Sequence, residues 1–386
     1  MSLSNVNITI NRNGLGQVAV QGDGTAGIYL QGVAVADKLE LETPYVIKSV
    51  KEAEAIGITV EGANMSAFRQ INEFYQTAGA GKKLFLIVSD KGAKSEVLKS
   101  CVEKLLNYAG GEISLMGICL PVLTDAETQG GLSKEVFDVQ TAMQSLAEAY
   151  TDKIMPFTAV IAGVGFKGGA QDLTDLKTMS NYRTQIALTA TDDSGVAAIG
   201  QLLGAYVSQP VYRKVSRVKN GALPMTTGNA FLTDKKTIEG RVDLLDELSD
   251  KCYIVYRDFP GRTGYFYNGD YTATLETDDL RYIARIRVID KALKIAYNTY
   301  VGELDDEINI TQDGKLDPAQ VSYLQELIYN QVMGNMKEAI SNFSATIDPD
   351  QNVLSGKGTD VVLSITPKGY LNPINVVLGF INPANS

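Results

Sequence analysis

Apolar residues recur with strand and helix spacing along the first two thirds of the chain. Unbroken apolar runs, such as KKLFLIVSD and MPFTAVIAGVG, predict buried strands. Segments between them, such as MSAFRQINEFYQTAG and EVLKSCVEKLLNYAGG, place apolar residues three and four positions apart, which is typical of amphipathic helices. Because strands and helices alternate, the sequence predicts a multi-domain α/β protein built on a helix-covered, mixed and largely parallel sheet.

The pattern changes after about residue 250. The segment CYIVYRDFPGRTGYFYNGDYTAT predicts a tyrosine-rich hairpin, and two long helices follow it. Asp317 and Pro318 are residue types that begin helices, so the second helix is expected over about 317–342. Its apolar stripe is Val321, Leu324, Ile328, Val332 and Ile340. The strands DVVLSIT and INVVLGFI then complete a C-terminal α+β domain.

Both ends of the chain predict strands that need a partner. Near the N-terminus, Val6, Ile8 and Ile10 alternate with polar residues. Near the C-terminus, residues 374–381 are apolar on both faces, and such a strand aggregates when it is left exposed. It therefore belongs either in the middle of its own sheet or in the sheet of another copy. The candidate subunit-interface residues are Val6, Ile8, Ile10, Ile374, Val376, Val377, Leu378, Phe380 and Ile381.

These patterns divide the chain into four expected parts. An N-terminal arm, residues 1–22, precedes an α/β region over 23–270, which has room for an inserted subdomain near 110–220. A C-terminal assembly domain over 271–366 follows, and residues 367–386 form a C-terminal arm. The two arms are the extended terminal strands of the predicted fold.

Composition narrows the classes of function. The 386-residue chain has no histidine, so it lacks the base of Ser-His-Asp triads and Cys-His dyads. Its formal net charge of −10 opposes binding to nucleic acid and to anionic membrane surfaces. The three cysteines, Cys101, Cys119 and Cys252, form no CxxC motif and are expected to be buried and reduced. We therefore do not expect an enzyme.

No targeting or membrane-spanning segment is expected. The start MSLSNVNITINRNG lacks the basic and apolar regions of a signal peptide. The longest apolar stretch, residues 196–207, is shorter than the ~20 residues that cross a bilayer. The sequence therefore predicts synthesis and folding in a cytoplasm.

Some segments are similar to cofactor-binding loops. The best of them, the Gly163–Gly168 loop, follows a predicted strand, as a dinucleotide fingerprint does. The residues after it do not predict a helix, and Asp192 or Asp193 lies at the wrong distance for the ribose carboxylate. A calcium-like loop at Asp313 has Gln320 in place of the bidentate glutamate. We expect no cofactor and no metal, and a dinucleotide-binding α/β enzyme that uses the Gly163–Gly168 loop is the first alternative.

Three stretches resemble the contractile tail sheath proteins of phages, prophages and related injection systems. The first is GIYLQGVAVADKLELETPYVIKSVKEAEAIG together with INEFYQTAGAGKKLFLIVSD. The second is YIVYRDFPGRTGYFYNGDYTAT followed by DDLRYIARIRVIDKALKIAY, and the third is PKGYLNPINVVLGFIN. The likeness covers most of the chain and rests on the order and pattern of these stretches. Residues 110–220 are the least similar part.

The resemblance implies a structural subunit without an active site. Sheath proteins form hexameric rings that stack as a helix around an inner tail tube, and they bind baseplate and tail terminator proteins. A trigger lets the helix shorten and drive the tube through a target envelope. The resemblance thus implies a homo-oligomer in the tail sheath of a virion, assembled in the host cytoplasm through exchanged β-strands. A non-contractile structural oligomer is the second alternative.

Overall fold

The computed structural model describes residues 24–123, 126–225, 227–352, 358–371 and 373–376. Its strands are β1 (Thr25–Gly32), β2 (Pro44–Ile47), β3 (Leu84–Asp90), β4 (Ile113–Ile118), β5 (Thr128–Gln129), β6 (Leu132–Ser133), β7 (Thr158–Ala162), β8 (Ser180–Asn181), β9 (Thr184–Ala187), β10 (Thr189–Ala190), β11 (Phe231–Leu232), β12 (Tyr256–Phe259), β13 (Arg262–Tyr267), β14 (Ala273–Thr274), β15 (Ile340–Ile347) and β16 (Val361–Pro367). Its α-helices are α1 (Val50–Ala55), α2 (Met65–Ala78), α3 (Ser95–Ala109), α4 (Lys134–Asp152), α5 (Ile199–Val207), α6 (Val242–Asp250), α7 (Ile283–Val301) and α8 (Pro318–Met336).

A six-stranded sheet, in the order β2-β3-β1-β4-β7-β9, organises the part that we call the body, the described residues of 24–274. Its strands run parallel except β2, which is antiparallel to β3. The apolar runs are buried because α3 and α4 pack together on one face and α2 and α5 on the other. The predicted helix-covered mixed sheet is confirmed. Residues 110–220 contribute β4, β7 and β9 to this same sheet.

Helix α5 is buried along its whole length, between α2 and the sheet. A Cβ atom on Gly200 would overlap the carbonyl oxygen of Gln70 in α2, and one on Gly204 would lie 2.6 Å from the carbonyl oxygen of Phe74. The two glycines are four residues apart and therefore face the same side of α5. Glycine at both positions lets the two helix backbones approach more closely than any side chain would allow.

Local signals in the sequence place several element ends correctly. Ser49 precedes α1, and its Oγ accepts a hydrogen bond from the Glu52 amide at 3.3 Å. Asp317 precedes α8, and its Oδ1 accepts from the Ala319 amide at 2.8 Å. Gly110 ends α3 in the left-handed conformation that favours glycine. The predicted helix start at Asp317 is thus confirmed.

The tyrosine-rich segment forms the predicted hairpin, β12–β13, and several of its rings lie in the core. The rings of Tyr256 and Tyr267 stack with their centroids 5.5 Å apart. Both hydroxyls donate to Oε1 of Gln201 in α5, at 2.5 and 2.9 Å. The hairpin therefore packs against the helix layer of the body, and these two rings are not available to stack on an external ligand.

Residues 283–367 contain α7, α8, β15 and β16, and we call their described part the lobe. Strands β15 and β16 pair antiparallel. Ile328 and Val332 of α8 share an apolar core with Phe343 of β15 and with the apolar face of α7. This core is separate from the main core of the body. The lobe is thus an α+β unit, as predicted.

The predicted end of the second long helix is wrong. Helix α8 ends at Met336, and Ile340 is the first residue of β15, a strand that the sequence analysis does not identify. Ile340 fits the helical stripe because it lies eight residues after Val332. In β15 the pairing register shifts between Ile340 and Asn342, so the alternation that indicates a strand is interrupted.

Helix α7 joins the lobe to the body through a stripe of charged side chains. Arg287 donates to the Gln209 carbonyl oxygen at 3.1 Å, and Lys294 donates to the Gly111 carbonyl oxygen at 2.7 Å. Between them, Asp290 accepts two hydrogen bonds from the guanidinium of Arg183, at 2.8 and 2.9 Å. These three side chains share one face of α7 because they are three and four residues apart. The joint is therefore polar and buried.

Candidate functional site

The β15–β16 pair is an open sheet. Its register runs from Ile340 opposite Pro367 to Ile347 opposite Val361. Among the described residues no third strand pairs with either strand, so both outer edges present backbone groups without a ladder partner. Another strand would complete this sheet.

The chain after β16 carries large apolar side chains that the described fold does not cover. Leu371 is 89% exposed, Ile374 is 69% exposed and Val376 is 73% exposed. No charged residue occurs between Gly369 and Ser386. An uncharged segment with exposed apolar side chains is a candidate site of interaction with another protein chain.

The structure places two of the nine candidate interface residues. Ile374 and Val376 are exposed and belong to no strand of the described chain. Val6, Ile8, Ile10, Val377, Leu378, Phe380 and Ile381 lie outside the described residues. That these nine residues together form a subunit interface therefore remains a prediction.

Tyr370 ties the start of this exposed segment to the body. The ammonium of Lys214 lies 3.1 Å from the ring centroid of Tyr282 and 4.6 Å from that of Tyr370. The two rings are 6.1 Å apart at 73°. The Tyr370 hydroxyl also donates to the Tyr212 carbonyl oxygen at 2.8 Å. We call Lys214, Tyr282 and Tyr370 the tyrosine clamp.

A buried carboxylate fixes the cation of the clamp. Nζ of Lys214 lies 3.3 Å from Oδ1 of Asp270, which has no exposed surface. The other oxygen, Oδ2, accepts from the Ala284 amide in the first turn of α7 at 3.1 Å. Burial lowers the pKa of Lys214, and the Asp270 carboxylate opposes that change. The clamp therefore joins three separate parts of the chain: the segment around residue 214, the start of α7 and the C-terminal segment.

Sequence reasoning missed both the clamp and the charged stripe of α7. The stripe did leave a signal, because Arg287, Asp290 and Lys294 recur at helical spacing in the predicted long helix. The clamp left none, because its three residues are far apart in the chain and each has an ordinary residue type for a surface.

Protein fills the space around the alternative dinucleotide loop. In the Gly163–Gly168 loop, a Cβ atom on the second glycine would lie 2.7 Å from the amide nitrogen of Ser133. One on the last glycine would lie 2.8 Å from Oδ2 of Asp234, and a carboxylate there repels a phosphate. Asp192 is paired with Arg69 at 2.7 Å. The glycines of the loop thus accommodate neighbouring protein segments.

The thiols of the body lie in surroundings that disfavour their ionised form. Burial raises the pKa of Cys101 and Cys252 to about 11 and raises the pKa of Cys119 further. Within the described ranges, His, Cys, Asp and Glu side chains nowhere gather in a group of three that could hold a metal ion. Nor does that part of the chain contain a helix with the length and apolar character needed to cross a membrane.

Two domain families account for almost the whole chain. The DUF2586 N-terminal domain matches residues 3–270, and the DUF2586 C-terminal domain matches residues 279–385. The chain belongs to the DUF2586 family. A comparison with curated protein sequences finds no match.

Solved structures similar to this DUF2586 chain come from contractile injection systems. One is the helical sheath of the anti-feeding prophage (AFP) in its contracted state, with 14% identity, a TM-score of 0.64 and coverage of 95% of each chain. A chain of the six-fold symmetrised AFP baseplate has 13% identity, a TM-score of 0.65 and coverage of 99% of each chain. The PVC sheath complex of an extracellular contractile injection system, in its contracted state, has 12% identity and a TM-score of 0.64, and covers 100% of this chain and 97% of that one.

These matches show a shared fold across the full length of the DUF2586 chain. The predicted resemblance to contractile sheath proteins is confirmed at the level of the fold. All three similar structures are parts of sheath or baseplate assemblies.

Proposed function

We propose that this DUF2586 chain is the structural subunit of a contractile sheath, which polymerises around an inner tube and shortens to drive the tube through a target envelope. The observation that carries the proposal is the full-length likeness to the AFP and PVC sheath chains, which covers at least 95% of each partner. Because those chains belong to helical assemblies, a chain of the same fold is a candidate for the same kind of polymer.

The open sheet and the exposed C-terminal segment support assembly by strand exchange. In this proposal, residues 1–22 and the part of the C-terminal arm beyond Tyr370 leave their own subunit and extend the β15–β16 sheets of neighbouring copies. Main-chain hydrogen bonds then provide the connection. Each copy donates strands and receives others, so the contacts are heterologous, and such contacts build rings or open helices. Hexameric rings stacked as a helix, with tube, baseplate and terminator partners, follow from the sheath role.

The proposed subunit acts without catalysis. Energy stored in the extended polymer at assembly drives the shortening, so each subunit needs neither nucleotide nor metal. The proposed location is the tail sheath of a phage-like particle that is assembled in the cytoplasm of its host.

The test is polymer formation by the purified full-length chain, followed by negative-stain electron microscopy. Wild-type protein is expected to form tubes, and Val376→Asp is expected to form none, because it puts a charge into the donated strand. The isolated Val376→Asp subunit should melt at the wild-type temperature, since this side chain is 73% exposed. Val60→Asp is the matched control: Val60 is 57% exposed on the body, and its variant should form tubes.

The outcomes separate the alternatives. A wild-type chain that stays monomeric at every concentration contradicts the sheath role. Assemblies that never appear in a shorter and wider form, even after the inner tube protein is added, favour the non-contractile oligomer.

A further inference from the structure

The segment beyond β16 could pair with either of two sheet edges. One is the edge of β16 in its own chain, and the other is a sheet edge in another copy. Strand β16 ends at Pro367, and the predicted strand begins at Ile374, so residues 368–373 would form the loop of a hairpin between them. This loop is only slightly longer than the commonest hairpin loops. Self-pairing is also intramolecular, so it benefits from an effective concentration on the order of millimolar. A subunit paired with itself would have neither a strand to donate nor a free β16 edge.

The tyrosine clamp holds the middle of that loop against the body. Gly369 and Leu371, on either side of Tyr370, are exposed, so Tyr370 is the point of attachment. Its ring faces the Lys214 ammonium, and its hydroxyl bonds to the carbonyl of Tyr212. A loop fixed at its centre to another part of the molecule cannot turn back along β16. In agreement, Ile374 is exposed and is not paired with β16.

We propose that Tyr370, Lys214 and Tyr282 are positioning residues for assembly, which hold the C-terminal segment away from its own sheet and so keep it available to a second copy. The inference rests on the proposed function, because it explains how a strand that is exchanged between copies avoids pairing with β16 of its own chain. Lys214 is suited to this task because a largely desolvated ammonium attracts two aromatic faces at once, and Asp270 keeps that ammonium in place.

The test releases the clamp in the full-length chain. In Tyr370→Ala, amide hydrogen exchange over residues 371–381 of the isolated subunit is expected to slow by roughly tenfold, as the segment pairs with β16. Assembly, followed by light scattering, is expected to slow by at least about tenfold, the factor that one lost cation–π contact and hydrogen bond can supply. Tyr370→Phe keeps the ring over Lys214 and should lie between the wild type and Tyr370→Ala.

A control and a second variant keep the inference falsifiable. Tyr108→Ala removes a tyrosine that is 59% exposed on α3 and should leave both measurements unchanged. If Tyr370→Ala does not fold, Tyr370→Leu keeps apolar volume there without an aromatic face. Assembly at the wild-type rate after release of the clamp, or amides over 371–381 that exchange as fast as in the wild type, overturns the inference. A wild-type chain that never assembles counts against the proposed function, whereas the exchange measurement still decides the role of the clamp.

Discussion

The central sheet of the body and the β15–β16 pair of the lobe differ in how completely each is enclosed. The central sheet has six strands and a layer of two helices on each face. The pair has α8 on one face, and on its other face Val362 is exposed to solvent. One sheet is thus covered on both faces, whereas the other has open edges and a partly exposed face. The comparison teaches that the close packing lies in the body and that the lobe holds the open sheet, which in the proposed function receives a strand from another copy.

The largest expected effect tests the close packing of the body. Gly200→Ala should destabilise the protein by about 3 kcal/mol or more, because the new methyl group meets the backbone of α2, which cannot move aside cheaply. The matched control is Gly334→Ala in α8 of the lobe. Nothing lies near a Cβ atom there, so alanine should stabilise the helix by about 1 kcal/mol. Urea denaturation followed by circular dichroism measures both changes.

If the free energy of unfolding falls in Gly200→Ala and rises in Gly334→Ala, the contrast between the body and the lobe becomes sharper. A loss below about 1 kcal/mol at Gly200 would show that α2 and α5 can separate without cost, and the body would then be less tightly packed than the glycine contacts indicate.

A second effect, of comparable size, concerns the joint between the two regions. Asp290→Ala leaves the guanidinium of Arg183 buried without its carboxylate, at a cost of about 3–5 kcal/mol in the free energy of unfolding. The control is Asp350→Ala, which breaks the exposed pair with Lys315 and should not change the midpoint measurably. If both variants unfold at the same denaturant concentration, the ion pair does not hold the lobe to the body.

The smallest effect uses the thiols, all three of which lie in the body. At pH 8, Cys101 and Cys252 should react with a disulfide reagent at least about a hundredfold more slowly than after unfolding, because their pKa is raised to about 11. A raised pKa means that the thiolate fraction, and with it the reaction rate, increases with pH up to about that value. Val376→Asp should leave the rate unchanged, whereas Gly200→Ala should increase it. Equal thiol reaction rates in these two variants would contradict the conclusion that the close packing of the body is independent of the C-terminal segment.

Much of the body could be predicted from the sequence because its signals are local. Strands such as β3 are unbroken apolar runs, and α2 has Ala67, Ile71 and Phe74 at helical spacing, all buried as expected. The identity of the fold followed from the order of these segments. The limits of the four expected parts stay a prediction.

The rest depends on contacts between residues that are distant in the chain. Asp290 meets Arg183 across 107 positions, and Tyr370 meets Tyr212 across 158. No spacing rule connects such pairs. Strand β15 was not predicted, for a different reason. The irregularity at its start interrupts the two-residue period of a strand, and Ile340 extends the helical stripe of α8. The candidate site could therefore be predicted as an apolar segment, but its anchor could not.

The clamp also has a mechanical consequence. Tension applied to the chain beyond residue 371 reaches Tyr370 first, and from there it passes through Tyr212 and Lys214 directly into the body. Strand β16, which precedes the clamp in the chain, lies outside this load path. The hydrogen bonds between β15 and β16 would open one after another if the C-terminal end of β16 were pulled away from its partner, and the clamp spares them that load. The open β15–β16 sheet is thus kept out of the load path by a single aromatic side chain.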